Sequence, residues 1–246
     1  MRITIDVKNE IKSAYIKGER FGEGILFNVA KEMFENEGYR IISLEENAKL
    51  RIRSGKNSSV SKYGNWVREG MIYIPKKGIY LTKNSPIMDS PSFAVECYSS
   101  RQEFYLTNKQ VEKALNNACK IELTRKETRI PTSKFGEDEL TVFAFGKQAK
   151  AYGELLNEAG FRYLPIMHDC EGDDFRKKTK PLVYPIFFHG LKYFDRENEE
   201  NCGRIDGGSG FVGMIRADLL SADDQRVRGI CYNQNLENKV EGCKQN

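Results

Sequence analysis

Histidine is nearly missing from this sequence. The 246 residues include two, His168 and His189. Any Ser-His-Asp or Cys-His arrangement must use one of them, and no G-x-S-x-G elbow accompanies either. Paired cysteines are missing as well. Cys97, Cys119, Cys170, Cys202, Cys231 and Cys243 include no C-x-x-C spacing, so a structural zinc site has little support. No run approaches the roughly 18–20 apolar residues needed to cross a bilayer. Residues 1–7 (MRITIDV) lack the apolar stretch of a signal peptide and alternate like a strand. The expected compartment is therefore the cytoplasm, with reduced thiols and no membrane partner. Charge imbalance is small: 39 basic against 35 acidic residues, net +4. A dedicated nucleic-acid binder usually shows a larger excess or a concentrated basic face.

What is present reads as globular. Aromatics make up 11% of the chain, which argues against disorder. The hydrophobic period changes several times. Residues 19–37, 107–118 and 147–159 carry apolar positions at three-to-four spacing and read as helices. Thr107 followed by Gln110 reads as a capping box for the second of these. Residues 3–7, 39–44, 50–53, 93–98, 141–145, 162–167, 183–188, 211–216 and 226–232 read as strands. Residues 67–74 and 78–82 flank a Pro75-Lys-Lys-Gly78 turn. The expected class is α+β: mixed, strand-rich sheet or sheets with about three helices. Residues 1–124 form a first module and 141–246 a second, strand-rich one, joined by a charged linker or long loop at 125–140. The two could equally be one continuous domain.

Several clusters invite chemistry. Residues 168–174 (HDCEGDD) combine carboxylates, a thiol and an imidazole, which suits a hard cation, although the basic run after it could simply neutralise a surface loop. Residues 208–213 (GSGFVG) match G-x-G-x-x-G formally, without the preceding apolar strand a dinucleotide site needs. No nucleotide or flavin is expected. Arg51, Arg53, Lys56 and Lys62 form one of three basic clusters, open to reading as solvated surface or as phosphate contacts. Tyr63, Trp66, Tyr73 and Tyr80 lie among Lys62, Arg68, Lys76, Lys77 and Lys83. Such interleaving stacks bases and neutralises phosphates, or marks a sheet with one wet face.

The first half also holds an ordered set of acids: Glu23 on an expected helix, then Asp89, then Glu96 in an expected strand, with Lys109 and Gln110 on the helix that follows. Over residues 19–120 this order resembles the restriction-endonuclease-like, PD-(D/E)xK nucleases. The resemblance implies Asp89 and Glu96 as metal ligands, Glu23 as a third, Gln110 as a positioning residue and Mg2+ as cofactor. Tyr98 stands where the family's lysine should be, and Lys109 would have to supply the ammonium. The chemistry implied is metal-assisted phosphodiester hydrolysis, in which clustered carboxylates hold a cation that generates hydroxide. The leading expectation is thus a nucleic-acid-directed protein acting as a divalent-metal phosphodiesterase. The alternative is a non-enzymatic nucleic-acid- or protein-binding or assembly protein.

Overall fold

The computed structural model describes residues 3–8, 11–16, 27–100, 102–121, 127–167, 177–191, 215–217 and 227–231. The class is α+β, as the mixed periodicity implies, with more helices than the three expected. Among the described residues, eleven strands join one mixed sheet. A hairpin of β1 (Ile3–Lys8) and β2 (Ile11–Ile16) lies at one edge. The path then runs β2, β11 (Val227–Cys231), β4 (Asn65–Ile74), β9 (Leu182–Phe188), β10 (Ile215–Ala217), β8 (Tyr163–Met167) and β7 (Glu127–Pro131). Off this path, β3 (Tyr39–Ile41) pairs with β11, and β5 (Gly78–Thr82) bridges β4 and β6 (Ala118–Ile121). Most pairs are antiparallel; β11 with β4 and β10 with β8 are parallel. Strands from both ends of the chain therefore alternate within one sheet.

The expected β4–β5 hairpin forms. Its turn places Lys76 at φ 65° and Gly78 at φ 114°. The expected capping box forms too. Thr107 Oγ1 accepts from the Gln110 amide at 3.3 Å, and Gln110 Oε1 accepts from the Thr107 amide at 2.9 Å, opening α6 (Asn108–Leu115).

Three expected strands are helices. Residues 50–53 belong to α2 (Leu44–Ser54), whose capping box uses Ser43 and Glu46. The buried residues Leu44, Asn47, Ala48 and Arg51 follow the helical period, but two of the four are polar, which hides the period from a hydrophobic pattern. Residues 93–98 lie in α5 (Pro91–Ser99), which packs against α1 (Phe27–Asn36). Residues 141–145 lie in α7 (Glu139–Phe145), where the Asp138 carboxylate accepts from the Thr141 amide at 2.9 Å. In both segments the aromatic and branched residues suggest β structure locally, and packing against other elements, α1 for α5 and β6, α2 and α8 for α7, selects the helix instead. The helix expected at 147–159 is α8 (Ala149–Glu158). The core is continuous, running from Phe27 and Phe34 through β4, β5 and β9 to Phe145, Tyr152 and Phe188.

Candidate functional site

Asp89, Glu96, Lys109 and Gln110, singled out in the sequence, fall on the helical segment between β5 and β6. Asp89 ends a short helix, α4 (Pro86–Asp89), and accepts a 2.6 Å ion pair from Lys113 on α6. Glu96 is exposed on α5, Lys109 is exposed on α6, and the Gln110 side chain is engaged in its cap. Glu23 lies outside the described residues, as do the 168–174 and 208–213 motifs. Among the described residues no three of His, Cys, Asp or Glu are grouped to hold a metal ion. Two of the four aromatics meant to stack bases are in the core, and Tyr63 and Tyr80 are half-buried. Trp66 is 2% exposed and meets Phe187 edge to face at 5.3 Å, and Tyr73 is buried.

The polar chemistry that the fold does concentrate is internal. Among the described residues, Arg51 is the largest fully buried side chain. Its Nη1 donates to the Tyr152 hydroxyl at 3.0 Å and the His189 carbonyl at 2.9 Å, and its Nη2 to the Phe188 carbonyl at 3.3 Å. The guanidinium also stacks 3.9 Å from the Phe188 ring centroid. One residue thus ties α2 to α8 and to the end of β9. Carbonyl dipoles and a ring face solvate the charge in place of a carboxylate. A close backbone crossing completes the joint: a Cβ on Gly190 would lie 2.4 Å from the Lys62 carbonyl oxygen, so only glycine fits there. One helical turn earlier, Asn47 Nδ2 donates to Asn65 Oδ1 at 2.8 Å. Burial pushes the Tyr152 hydroxyl up, against the lowering effect of Arg51, so it stays protonated. The sequence placed Arg51 in a surface cluster. The signal that could have corrected this was the Ser43–Glu46 capping box, which fixes a helical phase with Arg51 on the face of Leu44.

A second joint lies on β4. The register against β9 shifts between Trp66 and Gly70, so β4 bulges at this point. Pro185 stands opposite Gly70 and has no amide to donate, which suits a break in the ladder. Glu69 lies within this bulge. Its carboxylate is 2% exposed and accepts from the Leu44 amide, the first of α2, at 3.0 Å.

Two thiols are also inside. Burial pushes Cys119 up to about 11, with Glu139 and Asp138 adding to the effect, and burial raises Cys97 too. Both stay protonated near neutral pH and are poor nucleophiles.

On the surface, a shallow groove of about 230 Å³ runs between the 3-10 turn Thr132–Lys134 and α8, with Lys150, Glu154 and Asn157 along one wall. Among the described residues, Phe93 at 50% and Tyr105 at 46% are the most exposed large hydrophobic side chains. Both adjoin Phe104: Phe93 meets its ring edge to face at 5.0 Å, and Tyr105 follows it in the chain. The Lys180 ammonium lies 5.5 Å from the Tyr105 ring centroid.

Compared with known proteins, the chain is similar in structure to a Nanoarchaeota protein that accommodates massive sequence variation by the C-type lectin fold. The TM-score is 0.59 at 13% sequence identity, covering 90% of this chain and 99% of that one. At that identity the likeness is one of fold. No protein-family model and no curated protein matches the sequence. The fold corrects the restriction-endonuclease-like expectation and with it the nuclease, hydrolase and metal-binding reading. In physical terms, that resemblance rested on element order, and the order was misread: the strand meant to carry Glu96 is a helix. The nucleic-acid-directed reading is corrected with it, since Arg51, Trp66 and Tyr73 face the core rather than a ligand. Among the described residues no helix is long and apolar enough to cross a membrane.

Proposed function

We propose that this chain is a non-enzymatic recognition module whose partner is another protein. The observation that carries the reading is the likeness to a fold that, in the Nanoarchaeota protein, accommodates massive sequence variation. A fold tolerates surface variation when the groups that hold it together are elsewhere. Here the Arg51 joint, the β4 bulge and the aromatic stack of Phe145, Tyr152 and Phe188 are all internal. The alternation of strands from both ends in one sheet supports a single rigid body. Fold alone does not assign function, so the reading also needs a surface. Phe93 and Tyr105 supply aromatic anchors of the kind enriched at protein interfaces, with Lys180 beside Tyr105.

The test is selection of binders from a displayed library of random peptides on the immobilised protein, with an array of free oligosaccharides run in parallel. Selected peptides are expected to lose at least about tenfold in affinity, roughly 1.4 kcal/mol, against a Phe93→Ser, Tyr105→Ser variant that unfolds like the parent. Recovery of oligosaccharides alone, or peptides indifferent to the double substitution, overturns the reading.

A further inference from the structure

We propose that Glu69 is a proton-binding joint: whether its buried carboxyl, which accepts from the first amide of α2, holds a proton sets how firmly that helix is held on the β4 bulge. The geometry comes first. The carboxylate is buried in a strand bulge, and its donors are its own backbone amide and that of Leu44. Leu44 opens α2, so the hydrogen bond uses one of the amides that a helix leaves unpaired at its start. It therefore links strand and helix directly. A carboxylate is a stronger acceptor than a carboxyl, yet burial penalises the charge. The two protonation states thus hold the joint differently.

The surrounding charges do not cancel this penalty. Arg68, on the same strand, is half-buried, and Lys83 follows β5; both favour the ionised form. Lys83 also lies 3.9 Å from Glu45 on α2. Glu46, on the same helix, is taken up by Arg40 of β3. β9 brings no acid or base other than Tyr184, α4 brings Asp89 already paired with Lys113, and the side chains of β11 lie outside the described residues. Burial therefore dominates and pushes the Glu69 carboxyl up to about 7, with the two amides, Arg68 and Lys83 pulling the other way. A raised acid binds its proton more tightly in the folded state. Its contribution to stability is complete below the ordinary value of 4.5 and is lost as pH rises through about 7.

Two measurements test this. In isotope-labelled wild-type protein, the Glu69 side-chain carboxyl and the Leu44 amide are expected to titrate together, with a midpoint near 7. In urea unfolding at about pH 5 and about pH 8.5, the wild-type folding constant is expected to fall on the order of 70-fold more than that of Glu69→Gln. A Glu69 midpoint near 4.5, or a Leu44 amide that does not follow it, overturns the proposal. So does a Glu69→Gln variant that keeps the wild-type pH dependence. If that variant does not fold, the titration of the wild-type protein decides alone.

Discussion

Replacing Arg51 by alanine isolates the internal joint. The substitution removes the charge-assisted bonds to the His189 carbonyl at 2.9 Å and the Tyr152 hydroxyl at 3.0 Å, and the longer one to the Phe188 carbonyl. Hydrogen bonds to charged groups contribute about 1.5–3 kcal/mol each, and acceptors left buried without a donor add their own cost. Against this stands the relief of no longer burying a charge, which is why the sum is smaller than the parts. The expected loss is about 4 kcal/mol, from the lost charge-assisted bonds and the buried acceptors left without a donor. For a chain of this length that lowers Tm by roughly 10 °C. Trp66 is the chain's one tryptophan and is buried against Phe187, next to the residue on which Arg51 stacks. Its fluorescence during urea unfolding therefore reports the joint without a label. Arg53 is the control: it is exposed on the same helix, and Arg53→Ala should stay within about 0.5 kcal/mol of wild type. A double-mutant cycle of Arg51→Met with Tyr152→Phe should return a coupling of at least about 0.5 kcal/mol. If Arg51→Ala unfolds within about 1 kcal/mol of wild type, like Arg53→Ala, then the carbonyl cage does not hold these elements and the reasoning fails.

Other substitutions probe separate contacts. Gly153→Ala would place a Cβ 2.4 Å from the Thr132 carbonyl oxygen, so α8 and the 3-10 turn must part, at about 1–3 kcal/mol in thermal unfolding. Burial alone would raise the Glu46 carboxyl, but Arg40 and the Ser43 amide and hydroxyl outweigh it and hold it low. Its stabilisation is therefore present above the ordinary carboxylate range and lost as pH falls; Glu46→Gln should unfold more readily than wild type at pH 7 and converge with it in acid. Asp89→Asn and Glu96→Gln touch only exposed groups and should each change stability by less than about 0.5–1 kcal/mol in urea, as expected for a surface ion pair and a solvated acid.

Locally encoded features were legible in the sequence because neighbouring residues make them. The Thr107–Gln110 cap, the Pro75–Gly78 turn and the strands of that hairpin form as their residue types dictate. The α+β class follows in the same way, from periods that change along the chain. Three things were decided by tertiary structure. First, α5 and α7 are helices because packing surfaces supplied by distant segments outweigh the strand preference of their aromatic and branched residues. Second, the carboxylates of Asp89 and Glu96 sit on exposed helix surfaces, where sequence order says nothing about convergence. Third, Arg51 and Glu69 look like ordinary surface charges in a sequence, because burial depends on what folds over them. The carbonyls that surround Arg51 come from residues about 137 positions away, and the amide that meets Glu69 comes from 25 positions earlier. Sequence alone determined which residues could cap, turn and alternate; only the assembled sheet determined which charges lost their water.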